Sequence, residues 1–130
     1  MVIDTSALVA VLFDAFDAEP FELAIEADPR RLMSAASILE TSIVVESRLG
    51  EAGGREFDLV LYKAQIEIVA VTPEQIDIAR YAYRAYGKGR HPAGLNFGDC
   101  FVYALCKTSG EPLLFKGNDF SQTDVERVRI

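Results

Sequence analysis

Met1-Val2-Ile3-Asp4-Thr5-Ser6 opens the chain, and an amphipathic stretch from Ala7 to Phe13 follows directly. The apolar residues read as a short buried strand. It ends on a carboxylate and turns at once into a helix capped by a hydroxyl. In an open parallel sheet, ligands sit beyond the carboxyl ends of the strands. A carboxylate at that edge costs folding free energy unless something pairs with it, and a divalent cation suits that role. The competing reading is purely structural: Asp and Ser are favoured N-cap types, so Asp4 and Ser6 need only start the helix.

The 130 residues fit a single domain spanning 1–130. Half are hydrophobic, enough for a packed core. No apolar run approaches the roughly 18 residues of a membrane span. No basic region precedes the opening apolar residues, so a signal peptide is not expected. Cys100 and Cys106 match neither a metal-ligand spacing nor a redox motif, and are expected as small buried side chains in a reducing cytoplasm. The net charge of −7 argues against broad nucleic-acid affinity, which rests on excess Lys and Arg. It leaves room for a local basic patch, or for a polyanion held through metal ions.

Along the chain, Pro20 opens a helix to about Ala27, and Asp28-Pro29 breaks it. Arg31 to Ser34 is a short candidate strand of low apolar content. Ser37 to Leu49 reads as a helix with a broad apolar face, a Ser37–Glu40 capping box and a stop at Gly50. Glu51 to Gly54 reads as a loop, Arg55 to Gln65 as a helix, and Glu67 to Val71 as a strand. Thr72-Pro73-Glu74-Gln75 starts a helix that Gly87 ends, with Ile76, Ala79, Tyr83 and Tyr86 toward the core. Arg80, Arg84 and Lys88 fall on another face. The loop from Lys88 to Gly94 adds Arg90 and His91 and is the most basic short stretch. Each of these residues singly reads as solvated; as a group they can contact phosphate oxygens. His91 is the only histidine, which excludes catalysis by a histidine pair.

Asn96 can cap a helix running through Lys107, with Asp99 in its first turn, where the macrodipole favours an acid. Leu113 to Phe115 is a short apolar strand, Lys116 to Phe120 the loop that ends it, and Val128 to Ile130 a last edge strand. Strands alternate with helices, and that pattern predicts a parallel sheet between helical layers. Asp4, Glu40, Asp99 and Asp119 each stand at a strand end or a helix start, and together they predict one acidic cluster at one sheet edge. Crowded carboxylates raise each other's pKa. Cations resolve the conflict, and oxygen-only donors favour hard ions, Mg²⁺ or Mn²⁺.

Val2-Ile3-Asp4-Thr5-Ser6-Ala7-Leu8, the acidic Glu40, Leu95-Asn96-Phe97-Gly98-Asp99-Cys100 and Leu113-Leu114-Phe115-Lys116-Gly117-Asn118-Asp119-Phe120 occur in this order over the whole chain. The ordered set resembles the PIN-domain ribonucleases, especially the VapC-type toxins of bacterial toxin–antitoxin pairs. The resemblance implies a Rossmann-like α/β/α sandwich with a mainly parallel sheet of about five strands. It implies Asp4, Glu40 and Asp99 as site acids, with Ser6, ahead of Thr5, as the hydroxyl beside the first. Many members carry a fourth acid where this chain has Gly117. Asp119 is the choice here, with Asp124 as a stand-in. The implied activity is Mg²⁺- or Mn²⁺-dependent cleavage of RNA, leaving 5′-phosphate and 3′-hydroxyl ends. Arg84, Lys88 and Arg90 would guide the RNA backbone. A cognate protein antitoxin, a homodimer and no membrane association are implied as well. Two other readings are weighed against it. An aspartyl-nucleophile phosphatase places a second Asp two residues after the first, where this chain has Ser6. A non-catalytic binding module on the same fold has no need of the acids.

Overall fold

The computed structural model describes residues 1–130. In chain order the elements are β1 (Val2–Ile3), α1 (Thr5–Leu12), α2 (Ala18–Ala27), β2 (Leu32–Ser34), α3 (Ala35–Lys63), β3 (Glu67–Val69), α4 (Pro73–Tyr86), α5 (Phe97–Ser109) and β4 (Leu113–Leu114), then a 3-10 turn at Phe120–Gln122. The sheet order is β3-β2-β1-β4 and every pairing is parallel. The chain steps outward from β1 to β2 and β3, then returns to lay β4 on the other side of β1. Strand order reverses between β1 and β4, and the crevice beyond their carboxyl ends is where such sheets bind ligands.

Side-chain alternation assigns the layers. Val2, Leu32 and Leu113 enter one core with Ala79 and Ala82 of α4 and Val102, Tyr103 and Leu105 of α5. Ile3, Met33 and Leu114, one residue further in each strand, enter the other with Ala7 and Leu8 of α1, Phe21 and Ile25 of α2, and Phe57 of α3. Helices cover both faces, so β1, β2 and β4 are buried throughout and carry no solvent-facing polar row. Each large apolar side chain buried this way contributes about 1.5–3 kcal/mol. A ladder hydrogen bond contributes about 0.5–1.5 kcal/mol net. Strands this short are therefore held mainly by packing.

The α/β class and parallel sheet match the expectation, with four strands where about five are expected. The missing strand is Val128 to Ile130. The C-terminal segment makes one parallel bridge, Leu113↔Arg127, and forms no ladder. Charged Glu126, Arg127 and Arg129 flank Val128 there, leaving little apolar surface to bury. β2 is central and buried despite its low apolar content, and β3 is the exposed edge.

The expected loop at Glu51 to Gly54 is helical. Only Gly50 leaves helical geometry, at φ 67° and ψ −164°, so α3 is two helical halves joined at a sharp break. On α4, Ala79 and Ala82 are buried and Tyr86 half-buried, whereas Ile76 and Tyr83 lie exposed on a groove toward α5. No helix is long and apolar enough to cross a membrane.

Candidate active site

Asp4 ends β1 and caps α1 with its own carboxylate, where a hydroxyl cap is expected. Asp4 Oδ2 accepts from Ser6 N at 3.0 Å and from Ser6 Oγ at 2.5 Å. Ser6 Oγ in turn accepts from the backbone N–H of Lys116 at 2.9 Å. The loop after β4 is thus tied to the acid after β1 through one hydroxyl. Thr5 lines the same pocket as Asp4 and Ser6, but its hydroxyl is engaged away from the acids. Its Oγ1 donates to Ser37 O and accepts from Thr41 Oγ1 at 3.0 Å, pinning α1 to α3.

Glu40 reaches the same place from α3. Ser34 caps that helix, accepting from Ala36 N at 3.2 Å, because β2 runs into it with no intervening loop. Ser37 is buried inside the helix, so the expected Ser37–Glu40 capping box does not form and Glu40 sits in the second turn. Its carboxylate lies against Gly98, where any Cβ would overlap it.

Asp99 is held by a full capping box. Asp99 N donates to Asn96 Oδ1 at 2.9 Å, and Asn96 N donates to Asp99 Oδ2 at 3.0 Å. Asp119 is exposed at the start of the 3-10 turn, and its side chain makes no capping bond.

These segments meet in one pocket lined by Asp4, Ser6, Glu40, Asn96, Asp99 and Asp119, with Val9, Val44, Lys116 and Phe120 among its other walls. Capping and pocket-lining coexist at Asp4 and Asp99, since the hydrogen bonds named above engage only one oxygen of each. Asp124 is elsewhere. It accepts from the Tyr103 hydroxyl at 2.8 Å and pairs with Lys107 at 2.9 Å.

The electrostatics bear the mark of crowding. Burial raises the Asp4 carboxyl above its ordinary range; the Ser6 hydrogen bonds oppose this, and Glu40 adds to it. Burial, followed by repulsion from Asp4, Asp119 and Glu40, pushes Asp99 up to about 7 against the pull of the Asn96 amide. As the side chains stand, no three of them close around a single ion. The donor set nonetheless fits a hard divalent cation: carboxylates and a hydroxyl, with no sulfur or imidazole, in a pocket short of positive charge.

The basic residues expected to guide RNA do not line this pocket. Arg84 lies on the α4–α5 groove with Tyr83, Phe97 and Phe101, and Arg90 sits over the Tyr83 ring at 5.4 Å. Lys88 is exposed in the turn after α4. Gly98 and the Lys116 amide carry no chemical signature in sequence, and only the meeting of α3 with α5, and of β4 with α1, gives them a role.

The PIN-domain profile matches residues 1–126. Ribonuclease VapC30 of Mycobacterium tuberculosis is 64% identical over 130 residues, covering 100% of this chain and 99% of its own. The crystal structure of Mycobacterium tuberculosis VapC20, described as a sarcin–ricin loop cleaving toxin, superposes with a TM-score of 0.79 at 17% identity, covering 99% of this chain and 98% of that one. VapBC2 from Rickettsia felis, bound to a DNA fragment from its promoter, superposes with a TM-score of 0.76 at 12% identity, covering 98% and 96%. At those identities, the two structures bear on the fold.

Proposed function

This chain belongs to the PIN-domain family, and we propose that it is a VapC-type endoribonuclease toxin whose acidic pocket holds Mg²⁺ or Mn²⁺ and hydrolyses RNA phosphodiester bonds. One observation carries the reading. Asp4, Glu40, Asp99 and Asp119 come from separate segments and line a single pocket at the point where strand order reverses.

Asp4 and Asp99 are the assigned principal ligands, with Glu40 and Asp119 supporting. When bound, a divalent cation supplies Lewis-acid stabilisation of phosphoryl charge and acidifies water for attack. The chain's own residues set the geometry. Ser6 fixes the rotation of Asp4, and Asn96 fixes that of Asp99, so neither carboxylate spends binding energy on being ordered. The Lys116 amide holds Ser6 and ties the loop bearing Asp119 to the same frame. Burial, and after it the neighbouring carboxylates, raises the Asp4 and Asp99 pKa values, and a bound cation would lower them and favour the anions that hold it.

No histidine lines the pocket to activate the ribose 2′-hydroxyl. The family resemblance implies products with 5′-phosphate and 3′-hydroxyl ends, and the pocket's lack of histidine is compatible with them. Arg84, Lys88 and Arg90 are assigned to phosphate contacts away from the cut, and a homodimer is the assigned assembly. The partner is a cognate protein antitoxin, and the net charge of −7 suits a basic segment reaching the acids.

The test is RNA cleavage by the purified full chain with Mg²⁺ or Mn²⁺ and with chelator, followed by sequencing of the ends. Cutting that needs the metal and leaves 5′-phosphates supports the reading. Chelator-resistant cutting, or 2′,3′-cyclic phosphate ends, overturns it.

A further inference from the structure

Beside the acidic pocket, at Phe16, an aromatic ring stands fully in solvent, 100% exposed on the loop between α1 and α2. A lone exposed apolar side chain is ordinary; the surroundings of this one are not. Lys116, which lines the acidic pocket, extends its Nζ to 5.8 Å from the Phe16 ring centroid and 3.0 Å from Asp17 Oδ1. A second pair repeats the arrangement. Arg48 lies over the Phe13 ring at 4.4 Å. Val9 and Val44 line the pocket, and Phe13 and Arg48 follow them by four residues each, one helical turn further along the chain. One ring–cation pair thus adjoins the acidic pocket through Lys116, and a second lies one turn from two residues that line it.

We propose that these pairs form a nucleotide subsite, in which Phe16 stacks an unpaired base of the RNA next to the phosphate bound at the acids, while Lys116 and Arg48 meet the flanking backbone. The proposal rests on the nuclease reading and adds to it where the strand runs. Base–aromatic stacking is open to any base, because every base offers a π-face, and single-stranded segments are the form of RNA whose bases are free to splay onto such a ring. The cations answer a physical need: a strand approaching four carboxylates is repelled, and Lys116 sets a positive charge among the pocket's own lining. An ion pair as open as Lys116–Asp17 is weak, so a phosphate can displace Asp17 at little cost. A protein segment covering the same ring is the competing occupant. The positive charge of Lys116 in the pocket lining favours a polyanion.

The test compares Phe16→Ala and Phe16→Trp with the wild-type full chain, on a single-stranded RNA carrying 2-aminopurine at successive positions around the mapped cut. Phe16→Ala is expected to raise KM about tenfold with kcat nearly unchanged, and Phe16→Trp to keep the wild-type KM. In an Asp99→Asn background, where the strand stays whole, bound 2-aminopurine is quenched at one position flanking the cut. Phe16→Ala abolishes that quenching. Wild-type cleavage with unchanged KM and unchanged quenching in Phe16→Ala overturns the subsite and leaves the nuclease reading standing. So does a variant normal toward RNA whose self-association or antitoxin complex weakens in sedimentation, since the ring is then a protein contact. A wild-type chain that neither binds nor cuts RNA overturns both.

Discussion

Gly98, at the start of α5, has the Glu40 carboxylate of α3 resting on the space where a side chain would begin. The contact brings an acid from one helical layer across the sheet edge to an acid from the other. It is possible only because residue 98 has no Cβ.

Gly98→Ala is therefore expected to displace Glu40 without unfolding the chain. The atom in the way is the end of a flexible side chain, and alanine favours a helix over glycine by up to about 1 kcal/mol. Cleavage should fall at least tenfold, while the urea midpoint stays within error of wild type or rises. A variant with full activity would show that the position of Glu40 is immaterial.

Ser6 stands between Asp4 and Lys116. Ser6→Ala removes the hydroxyl that accepts from one and donates to the other, leaving Asp4 with the Ser6 amide alone. Loss of a hydrogen bond to a charged group costs about 1.5–3 kcal/mol. The variant should bind Mg²⁺ about tenfold more weakly by calorimetric titration and cut RNA correspondingly less at fixed metal. Thr5→Ala, whose lost hydroxyl bonds only Ser37 and Thr41 and no acid, should lower Tm and weaken metal binding far less than Ser6→Ala.

The raised pKa of Asp99, about 7 against an ordinary 3.8, makes a stability prediction for metal-free protein. The folded state holds this proton more tightly than the unfolded chain. Its contribution is greatest below about 4 and is lost as pH rises through about 7. In chelator, Tm should fall over that window, and Asp99→Asn should flatten the fall. Mg²⁺ at a hundred times its pH 8 Kd adds about 2.7 kcal/mol at that pH, and the same concentration should raise Tm less at pH 5, where protonated carboxyls bind it more weakly. Equal shifts at both pH values would separate the metal from the carboxylates.

Some of this was legible in the chain and some was not. The apolar run before Asp4, the Asn96–Asp99 spacing and the short strand at Leu113 each signal locally, and the elements form there. Their meeting in one pocket follows from the parallel order. The cap of α3 is Ser34 and not Ser37, and the sequence alone does not separate them, because both are equally good caps in isolation. Only the end of β2 at Ser34 decides between them. The helix across Glu51 to Gly54 was hidden because glycines read as a loop, whereas Gly50 alone takes a backbone that a side chain would strain. Ile76 and Tyr83 follow helical spacing but face a groove. Periodicity identifies an apolar face and does not say what lies opposite. Phe16 and Lys116 carried no signal, since their proximity depends on a contact across 99 residues of chain.

In the proposed function, acids remote in sequence form one metal-dependent catalytic centre. Its most direct test is the rate of RNA cleavage by Asp4→Asn and Asp99→Asn, purified free of other nucleases and shown by circular dichroism to be folded. Cleavage is expected to be lost in both, with the wild type active in Mg²⁺ or Mn²⁺ under the same conditions. Undiminished cleavage by either folded variant would contradict it.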